Sequence, residues 1–191
     1  MKTELNKNST AIVVIDLQKG IVSMPTEPYS VEVIVNNAAS LVKAFRRHNL
    51  PVFLVHVGSS PDLMDGLRPK TDQTMQSNLP MGADWMEFIP ELEQNKTDFI
   101  ITKRQWGAFY GTELDLQLRR RKIETIVLCG ISTNIGVEST ARFAYEYGYQ
   151  QIFIEDACGA RSKEQHEVSM NIIFSRIGRV RKTADILEEL V

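Results

Sequence analysis

Short unbroken apolar runs alternate along this chain with longer stretches that are apolar at every third or fourth position. The runs Thr10 to Ile15, Val52 to Val57, Asp98 to Thr102, Thr125 to Cys129 and Gln151 to Glu155 predict strands, and the first, apolar without alternation, reads as buried on both faces, as in a parallel sheet. Val31 to His48 predicts an amphipathic helix with Val31, Ile34, Val35, Ala38, Leu41, Val42 and Phe45 on one side. Further helices are predicted from near Thr112 to Lys122, from Asn134 past Tyr145, and from Ser162, whose spacing to Gln165 fits a capping box, toward Phe174. Arg179 to Arg181 reads as a short last strand, and Thr183 as the cap of a terminal helix from Ala184 to Leu190. Strands alternating with helices predict an α/β fold of three layers, with a six-stranded, mostly parallel, Rossmann-like sheet in the order 3-2-1-4-5-6 and right-handed crossovers.

The stretch Thr125 to Tyr147 joins a strand, a tight turn and a helix without a break. Gly130 is expected to stop the strand, and Thr133 or Asn134 to cap the helix. A helix starting directly after a buried strand aims unpaired N–H groups and the positive end of its dipole at whatever lies above the sheet edge, so the turn suits an anion. It is equally a plain strand-to-helix joint when taken alone. Asp16, placed directly after an apolar strand, reads either as a turn-former or as a catalytic carboxylate at the carboxyl edge of the sheet. Lys103 reads either as a solvated edge charge or, followed by Trp106, Gly107, Phe109, Tyr110 and Gly111, as part of a pocket wall.

Length and charge narrow the classes. A chain of 191 residues is the size of one such domain, and a net charge of −2 offers no concentrated basic surface for nucleic acid or an anionic membrane. The basic run Arg119 to Lys122 ends a predicted helix, where cations oppose the dipole. Cys129 and Cys158 make neither a disulfide framework nor a zinc spacing, and a lone strand histidine, His56, reads as hydrogen-bonded structure, so no metal is expected. No run is long enough to span a bilayer and the start is polar, so a cytoplasmic protein is expected. Gly20 to Ser30 is a loop that could border a pocket. The loop-rich stretch Gly58 to Lys96 carries Met64, Met75, Met81, Trp85, Met86 and Phe88, too apolar for a free linker and better suited to a lid or subunit contact.

Three segments in order, IVVIDLQKG around Asp16, KRQWGAFYGTEL from Lys103 and CGISTNIGVESTARFA from Cys129, resemble the isochorismatase-like hydrolases, a superfamily that includes nicotinamidases and other cysteine amidohydrolases. The resemblance runs from about Thr10 to the C-terminus. It implies catalytic roles for Asp16 and Lys103, and a site lined by Gln18, Trp106, Phe109, Tyr110, Ile131, Ser132, Thr133 and Ile135. It also implies a cis peptide between Ile131 and Ser132, and a homo-oligomer, a dimer or tetramer. The chain departs from most of the superfamily at Gly136, where the nucleophilic cysteine usually stands; isochorismatases proper also carry glycine there and cleave a vinyl ether without a covalent intermediate. Ser132, Thr133, Ser139 and Cys129 are poor substitutes, too deep or lacking a base. The expected function is therefore hydrolysis of a small-molecule substrate, with no cofactor, by acid catalysis from Asp16 with Lys103 over Gly136; the alternative is a protein that kept the pocket and lost the reaction, serving as a binder or assembly subunit.

Overall fold

The computed structural model describes residues 5–72, 82 and 84–191. Its centre is Thr10–Ile15 (β1), all of whose residues are buried. Because successive strand side chains point to opposite faces, that run of β-branched and apolar residues requires cover on both sides of the sheet. A short helix, Lys19–Val22 (α1), follows, and then Val31–Arg47 (α2), begun by Ser30, whose hydroxyl accepts from the Val33 amide. The next strands are Val52–Val57 (β2) and Phe99–Lys103 (β3), followed by Leu114–Arg120 (α3) and Thr125–Ile131 (β4). After a π-helical turn, Thr133–Val137, come Glu138–Glu146 (α4), Gln150–Gly159 (β5) and Lys163–Val168 (α5). A second π-helical segment, Ser169–Phe174, leads into Ser175–Ile177 (α6), Arg179–Arg181 (β6) and Thr183–Leu190 (α7). The six strands pair in parallel in the order β3-β2-β1-β4-β5-β6, as the alternating pattern predicts.

The predicted face of α2 is its buried one, with Ile34, Val35, Ala38, Leu41, Val42 and Phe45 inward and Ala44 added. It packs on β1, β2 and β5 and beside α7, while α4 lies on β5 and α6. Gly130 does not stop its strand. It sits inside β4 with φ +124, and a Cβ there would lie 2.0 Å from the Ile15 carbonyl oxygen, so glycine is required where β1 and β4 approach most closely. Neither Thr133 nor Asn134 caps the helix that follows: Ser132 flanks the π turn without a side-chain cap, and its carbonyl accepts from both the Ile135 and Val137 amides at 3.1 Å.

Two other boundaries differ from the expected ones. β5 continues past Glu155 to Gly159, since the Asp156 backbone is held in the layer by Asn37 (Nδ2 to the Asp156 carbonyl, 2.7 Å). Thr183 is the first residue of α7, not its cap; its amide and hydroxyl both donate to Asp156 Oδ1, at 2.8 and 2.7 Å, so a carboxylate from another strand satisfies the helix start. In the long connection, Met86 fills the space over Gly58, and Trp85 that over Gly20; Leu63, Met64 and Leu67 are exposed, and Met75 and Met81 lie outside the described residues. His56 has both ring nitrogens engaged, Nδ1 with the Met86 carbonyl at 2.8 Å and Nε2 with Thr102 Oγ1 at 2.7 Å. Among the described residues no helix is long and apolar enough to cross a membrane.

Candidate active site

Strand register explains how three distant residues meet. Ile15 pairs with Val55 on one side and Gly130 on the other, so Asp16 leaves the sheet at the level of the β4 end, at the point where the strand order reverses. Its amide is held by the Val55 carbonyl at 2.9 Å, and φ +54 turns its side chain over the sheet edge. Lys103 pairs with Val57, two residues further along, and stands two strands away, roughly 10 Å at ordinary strand spacing. Only a long side chain spans that distance. Its Nζ reaches Asp16 Oδ2 at 2.7 Å and the Trp106 carbonyl at 2.7 Å.

Gly136 is the third member. A Cβ on it would lie 3.0 Å from Asp16 Oδ2, 3.0 Å from Ile15 Cγ2 and 3.4 Å from Lys103 Nζ. The turn therefore presses its backbone directly against the carboxyl–amine pair, so closely that even a methyl on Gly136 would crowd it. Gly136 is itself fixed through its carbonyl, which accepts from Thr140 Oγ1 at 2.7 Å, and Thr140 in turn accepts from the Ala108 amide at 3.1 Å. The Ile131–Ser132 peptide bond just before the turn is cis.

Burial sets the electrostatics. Asp16 is 5% exposed and Lys103 is buried beside it. Loss of water raises the Asp16 carboxyl from the ordinary 3.8 to about 6, against the pull of the Lys103 charge and hydrogen bond in the other direction. Asp16 Oδ1 has no hydrogen-bond partner among the described residues. A carboxyl that changes protonation just below neutrality, with one oxygen clamped and the other free, can give up or take a proton. Neither cysteine offers a ready thiolate: Cys129 is pushed by burial to about 12, and Cys158 is raised well above its ordinary value by the same cause.

Several residues expected to line the site do other work. Gln18 is fully buried with its amide spent on backbone: Nε2 donates to the carbonyls of Val57 (3.0 Å) and Trp85 (3.2 Å), and Oε1 accepts from the Val57 amide (2.8 Å). It thus ties the segment after β1 to the end of β2. Phe109 turns inward against Tyr147 and Tyr149, with centroids at 5.4 and 5.8 Å, because the turn at Gly107 lies tight against Ser139 and Phe143 of α4. Trp106 is 59% and Tyr110 69% exposed; the Trp106 backbone, not its ring, meets Lys103. Ile131 is buried at the end of β4, and Ser132 and Ile135 are half-buried on the turn. Thr133 is buried and bonded to His166 Nδ1 at 2.9 Å, a partner that the linear pattern does not bring forward; its position four residues past the Ser162 cap is the one signal in the sequence. Arg104, beside Lys103, is also silent in the pattern; its Nε pairs with Asp65 and fastens the loop after β2.

The six-stranded parallel sheet in the order β3-β2-β1-β4-β5-β6, flanked by helices, is the fold of the isochorismatase-like hydrolases. The chain belongs to the isochorismatase family, whose domain model matches residues 10–185. It is 53% identical over 182 residues to the uncharacterized isochorismatase family protein YwoC of Bacillus subtilis (strain 168), covering 95% of this chain and 94% of that protein. It is 30% identical over 183 residues to nicotinamidase 3 of Arabidopsis thaliana, covering 91% and 85%. An isochorismatase family protein of Burkholderia thailandensis superposes with a TM-score of 0.92 at 45% identity, covering 97% of each chain.

Proposed function

We propose that the whole chain is one hydrolase domain that splits a small-molecule substrate by acid catalysis, without a cysteine nucleophile. The observation that carries this reading is the contact of Asp16, its carboxyl raised to about 6, with Lys103 at 2.7 Å across the bare backbone of Gly136. A protonated Asp16 would donate through its free Oδ1 to a vinyl ether or similarly polarised carbon; Lys103, holding Oδ2, would fix the geometry, and water would attack the cation formed. The amide hydrolysis named for the Arabidopsis relative needs a different first step in this chain, since Gly136 supplies no thiolate and both cysteines are buried and hard to ionise. Ser132 and Ile135 on the turn, with the exposed Trp106 and Tyr110, are the residues we assign to the substrate side.

The exposed Leu63, Met64 and Leu67 support a homo-oligomer with the loop after β2 at a subunit contact, and we read the protein as cytoplasmic. The test is turnover of a panel of vinyl ethers and amides by the wild type and Asp16→Ala, set beside thermal shifts with the same compounds. Product from the wild type that disappears in Asp16→Ala supports the hydrolase; full turnover in the variant removes it. Stabilisation without product in either would favour a binding protein.

A further inference from the structure

The π turn Thr133–Val137 holds Gly136 against Asp16, so whatever fixes the turn fixes the site. On one side it is tied by the Thr140 and Ala108 bonds already described. On the other, two links come from a different part of the chain: His166 Nδ1 meets Thr133 Oγ1 at 2.9 Å, and Ser169 Oγ donates to Glu138 Oε2 at 2.6 Å. We infer that His166 is a positioning residue for this site, which through Thr133 locks the Gly136 turn in place only while its imidazole is neutral. The inference rests on the acid-catalysis reading for its functional meaning, but the lock itself is a property of the protein alone and needs no substrate.

The physical case is one of hydrogen-bond capacity. His166 is 2% exposed, and its Nε2 has no partner among the described residues. A neutral ring can meet Thr133 with one nitrogen and leave the other bare. An imidazolium carries an N–H on both nitrogens, and among the described residues only Nδ1 has a neighbour to receive one. Burial accordingly lowers the His166 pKa below the ordinary 6.5, with Glu155 and Glu167 opposing. The groups facing the ring are few. Tyr29, from the loop before α2, sets its ring edge-on at 6.0 Å and donates its hydroxyl to Glu155 Oε1 of β5 at 3.0 Å. Glu167 on α5 is held by Lys163 at 3.5 Å, and Glu138 of α4 is engaged by Ser169 and Arg142. None of these bonds Nε2. A protonated ring would therefore be a buried cation with an unmet donor, and the strain would fall on the turn it contacts.

The test needs no substrate. Protection factors of the Ile135 and Val137 amides, corrected for intrinsic exchange, would be measured by NMR from pH 8 to pH 5 alongside titration of the His166 ring, every form compared also carrying Asp16→Asn, which removes the other titration against this turn. The form with His166 intact should lose about tenfold in turn protection as that ring protonates, below its ordinary pKa. His166→Asn offers an amide near the Nδ1 position and cannot titrate, so it should keep the protection at pH 8 and lose the pH step. His166→Leu should lack the protection throughout. Wild-type protection in His166→Leu, or a pH step that persists in His166→Asn, would overturn the inference. Should the leucine variant fail to fold, the form with His166 intact and the asparagine variant decide it alone. Where a substrate is in hand, the inference also expects a fall in kcat with KM unchanged in His166→Leu, and loss of the acid limb of the kcat profile in His166→Asn. Loss of the acid-catalysis reading through Asp16→Ala would leave the exchange result standing.

Discussion

Two ion pairs in this molecule each join a buried carboxylate to a basic side chain, and they could hardly be used more differently. At the amino edge of the sheet, Asp98 is held by Arg46 in a two-pronged contact, 3.0 Å from Nε and 2.6 Å from Nη2, and takes a third bond from the Asn95 amide at 2.7 Å. Arg121 lies 3.8 Å over the neighbouring Phe99 ring and closes that corner. At the carboxyl edge, Asp16 has one oxygen on Lys103 and the other free. The first carboxylate has both oxygens bonded and fastens α2 to the start of β3. The second has capacity left over in a place that costs it water. A buried ion pair points to chemistry through what it leaves unsatisfied, since pairing alone is as easily structural.

The largest effect should come from Asp16→Asn, which keeps the shape and removes the proton donor: kcat should fall by roughly 10²- to 10⁴-fold. Asp98→Ala should do the reverse, costing about 2 kcal/mol in a denaturant titration while leaving turnover per folded molecule intact. Arg46 keeps partial access to water, which limits that loss. If both variants lost activity alike, the contrast between the two edges would collapse.

The pH dependence separates them further. Native Asp16 holds its proton up to about 6, whereas the unfolded chain releases it near 3.8, so its contribution to stability is complete below 3.8 and is lost as pH rises through about 6. Over that window the wild type should fall relative to Asp16→Asn by up to about 3 kcal/mol, read from paired unfolding curves. Turnover that needs the proton should likewise decline as pH rises through about 6, and Lys103→Met should move that decline to higher pH, because the ammonium is what pulls the Asp16 value down.

A smaller effect is expected at Gly136. An alanine there sets a methyl 3.0 Å from Asp16 Oδ2 and from Ile15 Cγ2, and we expect about 1 to 2 kcal/mol of destabilisation with a roughly tenfold loss of turnover. Gly136→Cys places a thiol beside the same carboxyl. Gained amide hydrolysis in that variant would show that the remaining site is competent for the cysteine chemistry of its relatives.

Pattern in the chain was enough to foresee the strands, their parallel sense, the buried face of α2 and the meeting of Asp16 with the turn after β4, because each follows from spacing along one element or from a topology with few alternatives. It was also enough to single out Lys103, through motif likeness. It failed where a residue's use depends on a neighbour remote in sequence. Gln18 reads as site-facing until Val57 and Trp85 are seen to occupy its amide, Phe109 until Tyr147 and Tyr149 draw it inward, and Thr183 until Asp156 takes over the start of its helix. Gly130 looks like a strand terminator until Ile15 is found against it. His166 shows in one dimension only its place four residues past the Ser162 cap, and nothing in the helix around it encodes Thr133, thirty-three residues earlier. Periodicity is a local property and survives in a string of letters; hydrogen-bond saturation and steric clearance are pairwise properties, and they come into being only when the layers close.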